Sequence, residues 1–202
     1  MPTQSTMHFY LTWAKERIDE MDAALASLEA KATGARAQSK IKADEIIVDL
    51  TKRRGEFEAL LKTQMDAGEA ALAGAKAELE RHWAGFETQV KAYFDAAGQH
   101  AEQQQATFKG IAAAQASAWR ESTDRFREAA AKVTTAGSRN FDAVLDQLKS
   151  DAAQAGAHLE KLKQTGDESW SVLSAALSDS RKAFDRANRA AWDALKGSGA
   201  KS

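Results

Sequence analysis

After Pro2 there is no proline in the remaining 200 residues of this chain. A globular chain of this length carries about ten at roughly 5 % usage, and proline is the residue that helix interiors tolerate least. Large apolar side chains recur every three or four positions almost to the end. Together these features predict an all-α protein built from long helices. Alanine makes up much of the 44 % hydrophobic share, and 28 % of residues are charged, so the apolar face of each helix is narrow. Such a face suits an elongated antiparallel hairpin, bundle or coiled coil.

The spacing gives the stripe. Between Met7 and about Ala32 it is heptad-like, through Leu11, Ile18, Met21, Leu25 and Leu28. Beyond Lys40 the interval becomes eleven. Leu50, Leu61, Leu72, Trp83 and Phe94 form one ladder. Phe108, Trp119 and Phe141 belong to a second, Leu148, Leu159 and Trp170 to a third, and Leu173, Phe184 and Leu195 to a fourth, with Phe126 on the same face. Eleven residues in three turns is about 3.67 per turn, which keeps a stripe on one side of a nearly straight helix. These fifteen residues are the expected helix-pairing positions. A lone helix cannot bury them, so the stripe needs a covering surface, within the chain or from another copy.

The expected domain is a single helical body over 7–196, with disordered tails at 1–6 and 197–202. Breaks are expected near 33–40, 98–106, 134–138 and 165–168. Thr165 and Glu168 have capping-box spacing and could open a last helix through Trp170. Gly68, Gly137 and Gly166 lie in phase with the stripe. For Gly137 and Gly166 two readings stand side by side, a turn or a close-packing site inside an unbroken helix.

Chemistry is thinly represented. The chain has no cysteine, which excludes disulfides and thiolate sites. The four histidines are scattered, and only Glu78 and His82 share a helix face at i, i+4, too few ligands for a metal. Lys52-Arg53-Arg54 is the sole basic triplet, with Asp49 and Glu56 beside it to pair on the helix. The formal net charge of −1 argues against a nucleic-acid partner. No nucleophile motif or phosphate loop occurs, so the chain is expected not to be an enzyme and to need no cofactor. No apolar run approaches a transmembrane span, and the first residues lack a signal peptide's basic and apolar regions, which points to a cytoplasmic protein. Trp13, Trp83, Trp119, Trp170 and Trp192 share the spacing of the Leu and Phe positions and read as core.

Ala113-Ala114-Gln115-Ala116-Ser117-Ala118-Trp119 and Asp151-Ala-Ala-Gln-Ala-Gly-Ala resemble the Ala- and Gln-rich helices of bacterial phasins. The eleven-residue ladders are similar to those of apolipoprotein-like lipid-surface helices. The resemblance implies an amphipathic coat on a polymer granule or lipid surface, although this stripe is narrower than a usual lipid-facing one. Two functions follow. One is a non-catalytic scaffold that self-associates, or binds a helical partner, through its stripe. The alternative is a phasin-like surface coat.

Overall fold

The computed structural model describes residues 3–32, 37–97, 101–132, 138–166 and 168–199. Among these there are six helices and no strand: α1 Thr3–Ala32, α2 Ala37–Ala67, α3 Glu69–Ala97, α4 Ala101–Ala131, α5 Ser138–Thr165 and α6 Trp170–Gly199. The protein is all-α. Each helix has 28 to 31 residues, or about 42–47 Å at 1.5 Å per residue.

Two turns are set by glycine. Gly68 has φ of 100° and Gly166 φ of 77°, a backbone region that side chains disfavour. A Cβ at either would meet nothing within 4 Å, so conformation, not crowding, calls for glycine there. The Gly68 N–H donates to the Met65 carbonyl at 3.2 Å and closes α2; the Gly68 carbonyl accepts from the Leu72 N–H at 3.1 Å and opens α3. One residue thus folds α2 and α3 into a helical hairpin. Gly166 follows the end of α5, resolving that position as a turn. Ser169 caps α6, its carbonyl accepting from Val172 and Leu173 at 3.0 and 3.1 Å.

Several expected boundaries are corrected. Thr165 is the last residue of α5 and donates to the Leu162 carbonyl at 3.0 Å, so it does not cap α6. Helix covers 3–6 and 197–199, where disordered tails were expected, because adding turns to an existing helix costs little. Helix also covers 37–40, 101–106 and Ser138. The rest of those expected breaks (33–36, 98–100, 134–137, with Gly137) and the end residues 1–2 and 200–202 lie outside the described residues. In phase with the stripe, Gly68 gave no sign of being a turn, and the ladder from Leu50 to Phe94 crosses it.

The six helices form two three-helix units, α1–α3 and α4–α6. In each, the second and third helices make the most extensive pairing, and the first helices, α1 and α4, pack on each other. An offset of 98 residues carries Gly68 to Gly166, Leu50 to Leu148, Leu61 to Leu159, Leu79 to Leu177 and Phe86 to Phe184, each leucine and phenylalanine buried at both places. One hydrophobic cluster runs through both units, from Trp13, Phe57 and Phe94 to Phe108 and Leu173. A second joins Trp119, Phe126, Phe141, Leu148 and Phe184 within α4–α6.

Candidate functional site

Thirteen of the fifteen stripe residues are buried: Leu50, Leu61, Leu72, Trp83, Phe94, Phe108, Trp119, Phe126, Phe141, Leu148, Leu159, Leu173 and Phe184. Trp170 and Leu195 are half-buried at the edges of the two clusters. Trp170 lies 4.6 Å from Phe94, and Trp119 meets Phe184 edge-on at 5.1 Å. The surface that covers the stripe is the chain itself.

In α1 the buried face departs from the expected one. Leu11 and Ile18 are only half-buried, while Phe9, Trp13, Glu16, Arg17, Glu20, Met21, Ala24 and Leu28 point inward. A helical period therefore runs straight through three charged residues. Their partners lie on α6 and α4, across the junction of the two units.

Arg181 of α6 grips Glu20 with two nitrogens, Nη2 to Oε2 at 2.7 Å and Nε to Oε1 at 3.1 Å. Its Nη1 donates to Glu87 of α3 at 2.9 Å, and its guanidinium lies 4.5 Å from the centre of the Trp83 ring. Arg17 makes a matching fork to Asp185 at 2.9 and 2.7 Å, also bonds Glu16, and lies over Trp13 at 4.9 Å. Gln115 of α4 donates to Glu20 at 2.9 Å and to the Leu177 carbonyl at 3.0 Å. The side chains of Glu16, Glu20, Arg17 and Arg181 are 7 % exposed or less, whereas Asp185 and Glu87 reach the surface at 30 % and 42 %.

Charge this deep is costly to desolvate, and such a cluster fixes which surfaces meet more than it stabilises the fold. Burial pushes the Glu16 carboxyl well above the usual range; Arg17 opposes that and the neighbouring Glu20 reinforces it. Burial would raise Glu20 too, but Arg181 and the bond from Glu16 outweigh it and hold Glu20 low. Burial disfavours both charged guanidiniums, yet their carboxylate partners keep them firmly protonated. Of the two carboxyls, Glu16 is thus the one that favours its proton, and its Oε1 is buried with no hydrogen-bond partner.

The pH consequence has a definite sign. Unfolded Glu16 releases its proton near its ordinary 4.5, whereas the folded chain retains it. Glu16 therefore lowers stability progressively as pH rises above about 4.5. Glu16→Gln, neutral in both states, is expected to melt higher than wild type at pH 7 and to lose that advantage towards pH 4. Thermal melts across that range check this; an equal or lower melting temperature at pH 7 would place a carboxylate at position 16. Glu20 works the other way, and its contribution fades as pH falls below about 4.5.

The central helix α4 adds further buried polar groups. Gln105 donates to the carbonyls of Leu162 and Lys163 in the last turn of α5, at 2.9 and 3.1 Å. Gln103 donates to the Tyr93 hydroxyl at 2.8 Å. Ser122 and Trp192 both donate to Asn188 Oδ1, at 2.9 and 3.0 Å.

The basic triplet is paired on the surface: Arg53 with Asp49, Arg54 with Asp22 and Glu58, and Lys52 with Glu56. Glu87 and Asp185 are instead drawn into the junction, to Arg181 and Arg17. Glu78 and His82 gain no third ligand: among the described residues no group of three or more His, Asp or Glu could hold a metal. No helix among them is long and apolar enough to cross a membrane. Neither a family model, nor a curated protein, nor a solved structure matches this chain.

Proposed function

We propose that this chain is a non-catalytic helical interaction protein whose bundle stores apolar stripes and opens to lay them on a lipid or polymer granule surface in the cytoplasm. The observation that carries the reading is the coverage of the stripe by the chain's own helices. A stripe that is satisfied internally leaves the closed bundle dispersed in water and becomes available only on opening. The junction between the units supports this. It holds four buried ionisable side chains, and water or a polar interface would rehydrate them as the units part, which lowers the cost of opening. The phasin-like composition of α4 and α5 agrees.

Ser27 Oγ of α1 lies 2.9 Å from Thr107 Oγ1 of α4, close enough for a cross-link in this cysteine-free chain. The Ser27→Cys/Thr107→Cys protein, reduced, is expected to coat a triolein emulsion, with tryptophan emission moving to the blue. Oxidised, with α1 tied to α4, it should bind at least tenfold more weakly. Equal coating by both forms, or none by the reduced form and the wild type, would refute the opening mechanism.

One observation favours a second reading, a scaffold that pairs with another helix while closed. Ile41 and Val48, seven residues apart on α2, are 62 % and 69 % exposed. A sedimentation coefficient that rises with protein concentration would favour that reading.

A further inference from the structure

A groove of about 640 Å³ runs between α4 and α5, with Ser180 of α6 contributing to its lining. That volume falls within the range of small-molecule sites, roughly 300–1,000 Å³. Ala112, Trp119 and Leu159, all buried, give it an apolar base, and Ala152 and Gly156 line it from α5. Along α5 it extends from Lys149 to Lys163, roughly 20 Å at 1.5 Å per residue, long enough for an alkyl chain lying parallel to the helices.

Two independent features make this groove unlike the rest of the surface. The first is unmet hydrogen bonding. Gln115 Oε1, Trp119 Nε1 and Ser180 Oγ are all buried without a partner, and all three residues line this groove, themselves 2 %, 4 % and 6 % exposed. Leaving such groups unpaired is costly, and two of them, the indole N–H and the hydroxyl, are donors. The second is charge. Arg120, Arg127, Lys149 and Lys163 line the groove against a single acid, Asp124. Arg127 pairs with Asp124 at 2.8 Å, and Lys149 and Lys163 make exposed pairs on their own helix, but Arg120 makes no ion pair among the described residues.

The helices run antiparallel here, because Gln105 at the start of α4 reaches carbonyls at the end of α5. Arg127 and Lys149 therefore share one end of the groove, with Arg120 a turn or two further in. The other large cavity, about 520 Å³ between α3 and α6, lacks this combination: its Arg181, Glu20 and Glu87 satisfy one another.

We propose that the α4–α5 groove binds a single-chain amphiphile with one anionic head. The alkyl chain lies over Trp119, Ala152, Gly156 and Leu159, and the head sits at the Arg120, Arg127 and Lys149 end. The site lies within one three-helix unit and exists in the closed bundle, so it does not rest on opening.

Calorimetric titration of the full chain with sodium dodecanoate below its micelle concentration tests this. Dodecyl phosphate and dodecylamine run in parallel. One saturable site is expected for at least one of the anions, their ratio distinguishing a carboxylate from a phosphate head, with dodecylamine at least tenfold weaker. Gly156 is helical and a Cβ there meets nothing within 4 Å, so Gly156→Leu should fill the groove without unfolding the chain. It should weaken binding of the anions at least tenfold at an unchanged or higher melting temperature. Ala153→Leu, exposed on the same wall, gives an independent blockade. Equal binding of dodecylamine, several non-saturating sites, or undiminished binding by both blocked variants would overturn the assignment. The oxidised Ser27→Cys/Thr107→Cys protein should bind the anion as the reduced form does. Failure of surface coating and failure of the groove are therefore separately visible.

Discussion

Replacing Arg181 with methionine is expected to destabilise the protein by about 3–5 kcal/mol, the usual cost of stranding one member of a buried ion pair. Glu20 would be left fully enclosed without its two-nitrogen partner, with Gln115, Glu16 and the more distant Arg17 charge around it, whereas Glu87, 42 % exposed, would simply rehydrate. The double variant Arg181→Met/Glu20→Gln should recover much of the loss, because no charge then lacks a partner. Denaturant unfolding of the two singles and the double at pH 7 gives the coupling directly. A loss below 1 kcal/mol in the first single, or additive losses in the double, would mean that the fork between α1 and α6 carries little of the unit–unit specificity. Lysine at 181 is not a rescue, since an ammonium cannot make the two-nitrogen grip on Glu20 and also reach Glu87.

Truncating the two repeat-related phenylalanines should have effects of similar size. Phe86 stacks on Trp83 at 5.9 Å, and Phe184 meets Trp119 edge-on; both are 1 % exposed. Phe86→Ala and Phe184→Ala are each expected to cost about 3–5 kcal/mol. They belong to different hydrophobic clusters, so the costs should add to within about 0.5 kcal/mol if the chain unfolds as one cooperative body. Thermal unfolding with far-UV detection would reveal the contrary result, two separate transitions of which Phe184→Ala shifts only one. That outcome would show that the α4–α6 cluster melts independently of the larger one.

The helical class and the burial of thirteen of the fifteen stripe positions were legible in the sequence, because both leave local traces: missing prolines and recurrent large apolar residues are visible in any window. The turn at Gly68 was not, since a glycine in phase with a stripe looks the same whether it ends a helix or packs inside one, and only its positive φ distinguishes the two. Gln103, Gln104 and Gln105 fall in the most polar stretch, which suggests a loop; they are buried because α4 is central and its amides bond to Tyr93 and to the end of α5. Arg181 and Glu20 meet across 161 residues, Arg17 and Asp185 across 168. Spacing along the chain carries no trace of such pairs. One signal was available in α1: the helical period from Phe9 through Trp13 to Ala24 and Leu28 passes through Glu16, Arg17 and Glu20, marking them as enclosed charges in search of distant partners.

The two arginine forks run in opposite directions across the junction. Arg17 of the first unit finds Asp185 in the second, and Arg181 of the second finds Glu20 and Glu87 in the first. Each half thus holds an acid that pairs with the other's buried guanidinium. A gene cut between them would therefore encode two polypeptides suited to reassemble with each other. Reciprocal charge, laid over a shared helical plan, gives this chain a lock and key within itself.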